Sequence, residues 1–165
     1  MGLHYINPKK LKITRGQPRV DGKATHTDFM SPSILLYAPR ADGSLELVGV
    51  KNLVFLNAWK AAGNLAPPMF AGRVWDTMAD NSNTPEDEAH RFEPHHDQHV
   101  YFKKMANAKD QLRPFNPNVT CKYHKSAHQA GDAKNNPTTW TTIGGGLRTA
   151  VFLSAPIAVI AISRE

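Results

Sequence analysis

Two apolar runs on either side of an Asp-Gly pair restrict the fold of this chain more than any other feature. Residues 33–38 and 45–50 are mostly apolar, and Asp42 and Gly43 lie between them. Glycine readily takes the positive φ that a tight hairpin turn requires, so this pattern predicts an antiparallel hairpin. The second run continues to Phe55. A strand of that length is expected in the middle of a sheet rather than at its edge.

Proline and glycine limit the length of the helices. The chain has 165 residues with 12 prolines and 11 glycines, a content that favours short elements and many loops. One compact helix is expected at 57–63, with Asn57 as its N-cap and Gly63 just past its end, before Pro67 and Pro68. We therefore predict one α+β domain, mainly antiparallel sheet with a central hairpin and short peripheral helices.

Charge and cysteine content restrict the partners. The composition, 41% hydrophobic and 21% charged, fits a soluble globular chain. The net charge of +6 permits binding to anions, through 9–23 and 122–134. Nucleic acid stays an alternative only, because basic and aromatic residues are not interleaved.

The single Cys121 excludes an internal disulfide. The apolar run 150–162 is shorter than a membrane span of about 20 residues and contains Pro156, so no span is predicted.

Histidines are concentrated between positions 95 and 99. His95, His96 and His99 lie there, close to Glu93 and Asp97. Imidazole titrates near neutrality and is the commonest metal ligand, so this density predicts a site, with zinc, copper or nickel as candidate ions. The segment is expected to be a loop over 93–98 that turns into a strand at His99, because the residues that follow favour β structure.

Strand geometry decides which histidines share a site. On one strand His95 and His99 would lie about 13 Å apart, too far to hold one zinc at about 2.0–2.1 Å. The predicted site therefore takes His99 from the strand, His95 or His96 from the loop, and His4 from an alternating segment at 3–6. Polar surface histidines without a role, and acid–base or ligand recognition without metal, are the alternatives. The candidate ligand-binding side chains are Glu93, Asp97, Tyr5 and Tyr101.

An ordered set of short motifs in the first 121 residues resembles an uncharacterised family of small exported bacterial proteins. The opening Met-Gly-x-His-Tyr-x-Asn-Pro at 1–8 begins the set, and similar blocks follow at 34–40, 45–50, 96–101 and 115–121. A fainter similarity, at the level of fold, is to oil-body-associated proteins. The resemblance covers 1–121, the predicted domain. Residues 122–165 are a polar, basic segment followed by an apolar C-terminal extension.

The resemblance implies an extracytoplasmic protein without an established activity, although no signal peptide pattern occurs at positions 1–12 and a cytoplasmic location is the alternative. The family tends to have Glu-Tyr after its Val-Gly-Val strand, whereas this chain has Lys51 and Asn52. A carboxylate ligand or base would then be missing here. The family also often carries a cysteine ahead of the Met-Gly start, a candidate partner for Cys121.

Three functions follow as hypotheses. The leading one is a small binding domain that holds a divalent metal or a polar ligand with His4, His99 and a residue from 93–97. The second is a hydrolase-like enzyme with an acid–base pair formed by His96 or His99 and a neighbouring carboxylate. The third is electrostatic binding of nucleic acid.

Overall fold

The computed structural model describes residues 2–85 and 87–124 and the backbone of 158–161. This part of the chain contains ten strands, one α-helix and one 3-10 helix. In chain order they are β1 (Leu3–Ile6), β2 (Ile13–Arg15), β3 (Asp21–Gly22), β4 (Ile34–Pro39), β5 (Leu45–Phe55), α1 (Leu56–Ala61), β6 (Met69–Phe70), β7 (Arg73–Val74), β8 (Asp76–Met78), β9 (His95–Tyr101), the 3-10 helix Ala108–Leu112 and β10 (Ala158–Ala161).

A six-stranded antiparallel sheet dominates the structure. Its strand order is β10-β1-β4-β5-β9-β8, and β2–β3 and β6–β7 form two small separate ribbons. The hairpin of β4 and β5 occupies the two central positions, and Gly43 in its turn has φ +84°. The architecture is therefore mostly antiparallel sheet with few helices, the sheet-rich part of the fold class that the sequence predicts.

The N-cap of the helix lies two residues earlier than predicted. Phe55 occupies the N-cap position without a capping side chain, so Asn57 lies inside the helix and the predicted cap is wrong. The backbone N–H of Leu56 donates to the Pro94 carbonyl at 2.8 Å, which satisfies one of the donors that a cap would otherwise serve. Gly63 follows the helix with φ +85°, in the place expected for it.

Strand β9 replaces the loop predicted for 93–98. The strand begins at His95, which pairs with Phe55 on one side and Met78 on the other. Two neighbouring strands supply hydrogen-bond partners along this segment, and tertiary context of this kind overrides weak local strand preference. The prediction of a loop is therefore wrong, and His95 belongs to the sheet itself.

The hydrophobic core covers one face of the central sheet. Side chains of β1, β4, β5 and β9 meet three residues from connecting segments, Leu11, Phe92 and Val119, in one buried cluster. An aromatic group of Phe29, Phe70 and Trp75 forms elsewhere, with Phe29 4.3 Å from Phe70 and 5.7 Å from Trp75 between ring centroids. Residues of the connecting segments thus cover the face of the sheet that a layer of helices covers in other α+β proteins.

Of the predicted segment 122–165, the structure describes 122–124 and the backbone of Ala158–Ala161, and the latter pairs antiparallel with β1. The remainder of the extension, 125–157 and 162–165, lies outside the described residues. The part of the chain that the structure describes contains no helix with the length and apolar character that a membrane crossing requires.

Candidate functional site

The register of β5 and β9 gathers four polar side chains on the core face. Lys51 lies opposite His99 in the β5–β9 ladder, and Leu53 and Phe55 lie opposite Asp97 and His95. Directly opposed side chains share one face of a sheet. Strand β1 adds His4 on the same face, because its ring contacts that of His99. We call these five residues the buried cluster: His4, Lys51, His95, Asp97 and His99.

A lysine–aspartate pair carries the charge of the buried cluster. Lys51 Nζ lies 2.5 Å from Asp97 Oδ2, and the two side chains are 5% and 0% exposed. Burial alone would raise the pKa of Asp97, but the Lys51 ammonium and a hydrogen bond from His95 hold this pKa well below its usual value. A buried carboxylate of this kind requires its partner, because an unpaired charge in the core is very costly.

Two imidazole rings from distant strands meet beside this pair. Nε2 of His4 lies 3.4 Å from Nε2 of His99, and the rings are nearly perpendicular at 89°. The ring centroids are 5.6 Å apart. This distance is longer than the one between the two Nε2 atoms by about the diameter of one imidazole ring. The two nitrogens therefore point at each other along one line, as in a hydrogen bond.

The number of protons limits how many contacts this pair can satisfy. Three contacts each need one hydrogen: His4 Nδ1 to the Gly2 carbonyl at 3.3 Å, the Nε2–Nε2 contact at 3.4 Å, and His99 Nδ1 to Asp97 Oδ1 at 3.9 Å. Two neutral imidazoles carry two N–H groups between them. If the two N–H groups form the two shorter contacts, His99 Nδ1 carries no proton toward Asp97. The lack of a hydrogen bond there accounts for the longer distance between His99 Nδ1 and Asp97 Oδ1.

Burial keeps both rings neutral. It lowers the pKa of His4 well below its ordinary value, and the nearby Lys51 ammonium lowers it further. Burial and Lys51 likewise lower the pKa of His99 to about 3. The pair therefore holds two protons near neutral pH.

The buried cluster is not arranged around a metal ion. Among the described residues, no group of three or more histidine, cysteine or acidic side chains is placed to hold one. An ion midway between the two Nε2 atoms would lie about 1.7 Å from each, half of 3.4 Å, whereas zinc requires about 2.0–2.1 Å. The Lys51 ammonium next to Asp97 adds a positive charge that opposes a second cation. Coordination by His4 and His99 therefore requires the rings to move.

The other predicted histidines occupy different places. His95 lies in the buried cluster, with Nε2 3.4 Å from Asp97 Oδ2 and Nδ1 2.9 Å from the Glu93 carbonyl. His96 is turned away from it, because successive strand residues point to opposite faces. Its Nδ1 lies 2.9 Å from the Thr77 hydroxyl, and burial lowers its pKa.

The predicted ligand-binding residues are also divided. Tyr101 is buried in the hydrophobic core, parallel to the His99 ring with 5.8 Å between centroids, and burial raises its pKa. The Glu93 carboxylate pairs with Arg15 at the surface. Tyr5 lies outside the buried cluster and packs edge-on against Tyr37, with 4.8 Å between centroids. The structure therefore brings His4, His95, Asp97 and His99 together, with Tyr101 stacked on the His99 ring, and leaves His96, Glu93 and Tyr5 apart.

Two adjoining cavities lie away from the buried cluster. The first, of about 400 Å³, we call the lysine groove; the second, of about 300 Å³, we call the annex, and both include Lys10 and Ser31. The lysine groove is lined by Lys9, Lys10, Lys12, Ala24, Thr25, His26 and Ser31. The annex is lined by Tyr5, Asn7, Lys10, Met30, Ser31, Pro32, Ser33 and Leu35.

A turn after β1 presents the lysines to this groove. The Asn7 side-chain oxygen accepts hydrogen bonds from the backbone N–H groups of Lys9 and Lys10, both at 3.1 Å. Lys12 has φ +48°, a left-handed conformation uncommon for a residue with a side chain. From the sequence, the basic stretch 9–23 predicts only that anions can bind there, and no local signal indicates that its lysines line a groove.

Comparisons of the chain with protein-family models, with curated proteins and with solved structures find no match. The resemblance to a family of exported proteins therefore stays a prediction.

Proposed function

We propose that this chain is a small binding domain whose ligand carries a phosphate group that is held in the lysine groove. The observation that carries the proposal is the lining of this groove: three lysines and one histidine surround it, and no carboxylate does. Phosphate carries up to two negative charges near neutral pH and accepts hydrogen bonds on several oxygens. Such a group complements the groove in charge.

The ammonium groups of the groove are not equivalent. Lys10 Nζ donates to the Ser31 hydroxyl and to the carbonyls of Ser31 and Pro32, at 2.6, 3.0 and 3.3 Å. An ammonium has three N–H donors, so Lys10 offers a ligand its charge rather than a further hydrogen bond. Lys9 and Lys12 are exposed, and neither is paired with a carboxylate among the residues that the structure describes. These two supply the donors.

The backbone at Lys12 supports the same proposal. A left-handed conformation costs a residue with a Cβ atom about 1–2 kcal/mol. Strained residues of this kind concentrate at binding sites, where the side chain is needed in a particular place. The conformation at Lys12 is held by two backbone hydrogen bonds, from its own N–H to the Lys9 carbonyl at 3.1 Å and from the Lys23 N–H to its carbonyl at 3.1 Å.

Binding is favoured over the hydrolase-like alternative because of where the cavities are. Catalysis by His99 and Asp97 needs a cavity at those groups that admits a substrate. Both side chains are completely buried, and neither the lysine groove nor the annex includes them. Nucleic acid shares the phosphate chemistry and is tested separately below.

Titration with inorganic phosphate at low ionic strength, followed by amide chemical-shift changes, tests the proposal. We expect saturable shifts at 9–12 and 24–26, at least a tenfold weaker affinity in the Lys9→Gln/Lys12→Gln double variant, and weakening by added salt. The matched control combines Lys60→Gln in α1 with Lys109→Gln in the 3-10 helix, since it removes the same two charges outside the groove. Equal affinity in the double variant and the control would overturn the proposal. So would stoichiometric binding of a single-stranded oligonucleotide without any response to phosphate.

The Lys12→Gly variant separates the effect of the lost charge on binding from any effect on folding. Glycine adopts positive φ without strain, so this variant should be as stable as the parent chain or more stable. We expect its phosphate affinity to fall all the same, because the ammonium is lost. An unchanged affinity would show that Lys12 does not contact the anion.

A further inference from the structure

We infer that the ligand of this chain is an organic phosphate monoester, with its phosphate in the lysine groove and an aromatic or short aliphatic body in the annex. The inference rests on the proposed function and names the class of ligand.

The two cavities adjoin each other. They share Lys10 and Ser31, and their volumes of about 300 and 400 Å³ together lie within the range of about 300–1,000 Å³ usual for small-molecule sites. Their linings differ, because the annex contains the side chains of Tyr5, Leu35 and Met30, whereas the groove contains lysines. A ligand that fills both cavities therefore has one charged end and one apolar end.

Lys10 forms the junction between the two ends. Its ammonium is fixed by the three acceptors of Ser31 and Pro32, which orders the side chain. The four-carbon stem of a lysine is apolar, so it can cover part of a ligand's apolar body while its charge faces the phosphate. This division places the ester oxygen of the ligand near Lys10.

Met30 is held in the open by an anchored turn. Its side chain is 92% exposed, although its backbone N–H donates to the Asp28 carboxylate at 2.8 Å. The preceding residue, Phe29, packs against Phe70 and Trp75. The turn thus packs Phe29 against two aromatic rings and presents Met30 at the annex. Methionine is flexible and polarizable, which suits an adaptable contact with apolar ligand surface.

Tyr5 and Leu35 form the opposite part of the annex. They are cross-strand partners in the β1–β4 ladder, so their side chains are neighbours on one face of the sheet. Both are half-buried. The ring of Tyr5 is supported by its edge-on contact with Tyr37, and burial raises the pKa of its hydroxyl. The phenol therefore remains a donor at neutral pH, and its ring supplies an aromatic surface.

Three soluble probes test the inference on the full chain: inorganic phosphate, phenyl phosphate and phenol. Phenyl phosphate is expected to bind at least tenfold more tightly than inorganic phosphate, and phenol is expected to bind more weakly than either. Met30→Ser should reduce the preference for phenyl phosphate severalfold and leave the affinity for inorganic phosphate unchanged. Leu65→Ser is the matched control, because Leu65 is a fully exposed apolar side chain outside both cavities.

The results separate the two proposals. Equal affinity for phosphate and phenyl phosphate overturns the annex as a subsite and leaves the proposed function in place. No response to either ligand overturns both proposals. Sedimentation with phosphatidylcholine vesicles that contain phosphatidic acid distinguishes the source of the phosphate group. Binding to these vesicles without binding to phenyl phosphate would overturn the inference of a small soluble ligand.

Discussion

Nε2 of His4 lies 3.4 Å from Nε2 of His99, although the two residues are 95 positions apart in the chain. The contact joins β1 to β9 across β4 and β5, the two strands that lie between them in the sheet. Because burial keeps both rings neutral, they share too few protons to satisfy every acceptor around them. Four predictions follow from this cluster and its surroundings, beginning with its response to acid.

The free energy of unfolding should fall as the pH decreases below about 6.5, the ordinary pKa of histidine. Burial lowers the pKa of His4 and His99 in the folded chain, so the unfolded chain binds more protons in this range. Stability then decreases by up to about 1.4 kcal/mol per pH unit for each histidine. The depressed pKa of Asp97 adds its own loss only at lower pH, near the usual carboxyl range. Urea unfolding between pH 7.5 and about 4.5 measures the slope.

His99→Gln and His4→Gln each remove one of these titrating groups. Whatever their stability at neutral pH, each variant should show a shallower decrease with acid than the parent chain. His124→Gln, which changes a half-buried histidine outside the buried cluster, should keep the parent slope. If both cluster variants kept the pH dependence of the parent chain, the assignment of the acid response to His4 and His99 would be wrong.

Lys51→Met should destabilise the chain by about 3–5 kcal/mol, because it leaves the Asp97 carboxylate buried without its partner. The double variant Lys51→Met/Asp97→Leu should recover most of this loss, since neither charge then remains in the core. As a control, Arg40→Met breaks a partly exposed ion pair with Glu46 and should cost about 1 kcal/mol or less. Chemical denaturation of the parent chain and the three variants measures these differences. A double variant no more stable than Lys51→Met would contradict the pairing of Lys51 with Asp97.

Zinc should not bind stoichiometrically to the folded parent chain. The collinear arrangement of the two Nε2 atoms suits a hydrogen bond, and the Lys51 ammonium lies beside the same rings. We expect no zinc to be retained after gel filtration, and a melting temperature that is the same with and without chelator. One equivalent of retained metal, lost in His4→Gln, would show instead that the rings separate to coordinate it.

Gly49→Ala should destabilise the central sheet by about 1–3 kcal/mol. A Cβ atom at this position would lie 2.7 Å from the Val100 carbonyl oxygen and 3.1 Å from the Tyr101 ring. Gly16→Ala is the matched control, because nothing lies within 4 Å of its Cβ position, and its effect should stay within about 0.5 kcal/mol. Thermal or urea unfolding compares the two; a Gly49→Ala protein as stable as the control would contradict the packing described here.

Local signals predicted the hairpin and the opening strand. The Asp42-Gly43 turn depends on four residues, and the structure has it with a positive φ at Gly43 and a hydrogen bond from the Ser44 N–H to Asp42 at 2.9 Å. The alternation at 3–6 likewise predicted β1. The extent of β9 could not be read in this way, because its first residues, His95 and His96, have weak strand preference and depend on hydrogen bonds from two neighbouring strands.

By itself, the sequence determined where the chain turns, which segments alternate, and that histidines and lysines are concentrated in a few places. Only the tertiary structure decided that Lys51 enters the core beside Asp97, that His4 reaches His99, and that the lysines after β1 converge on one groove. Turn formation and alternation act over a few residues of backbone. Burial and pairing of charge depend instead on strand order and register, which bring together residues far apart in the chain.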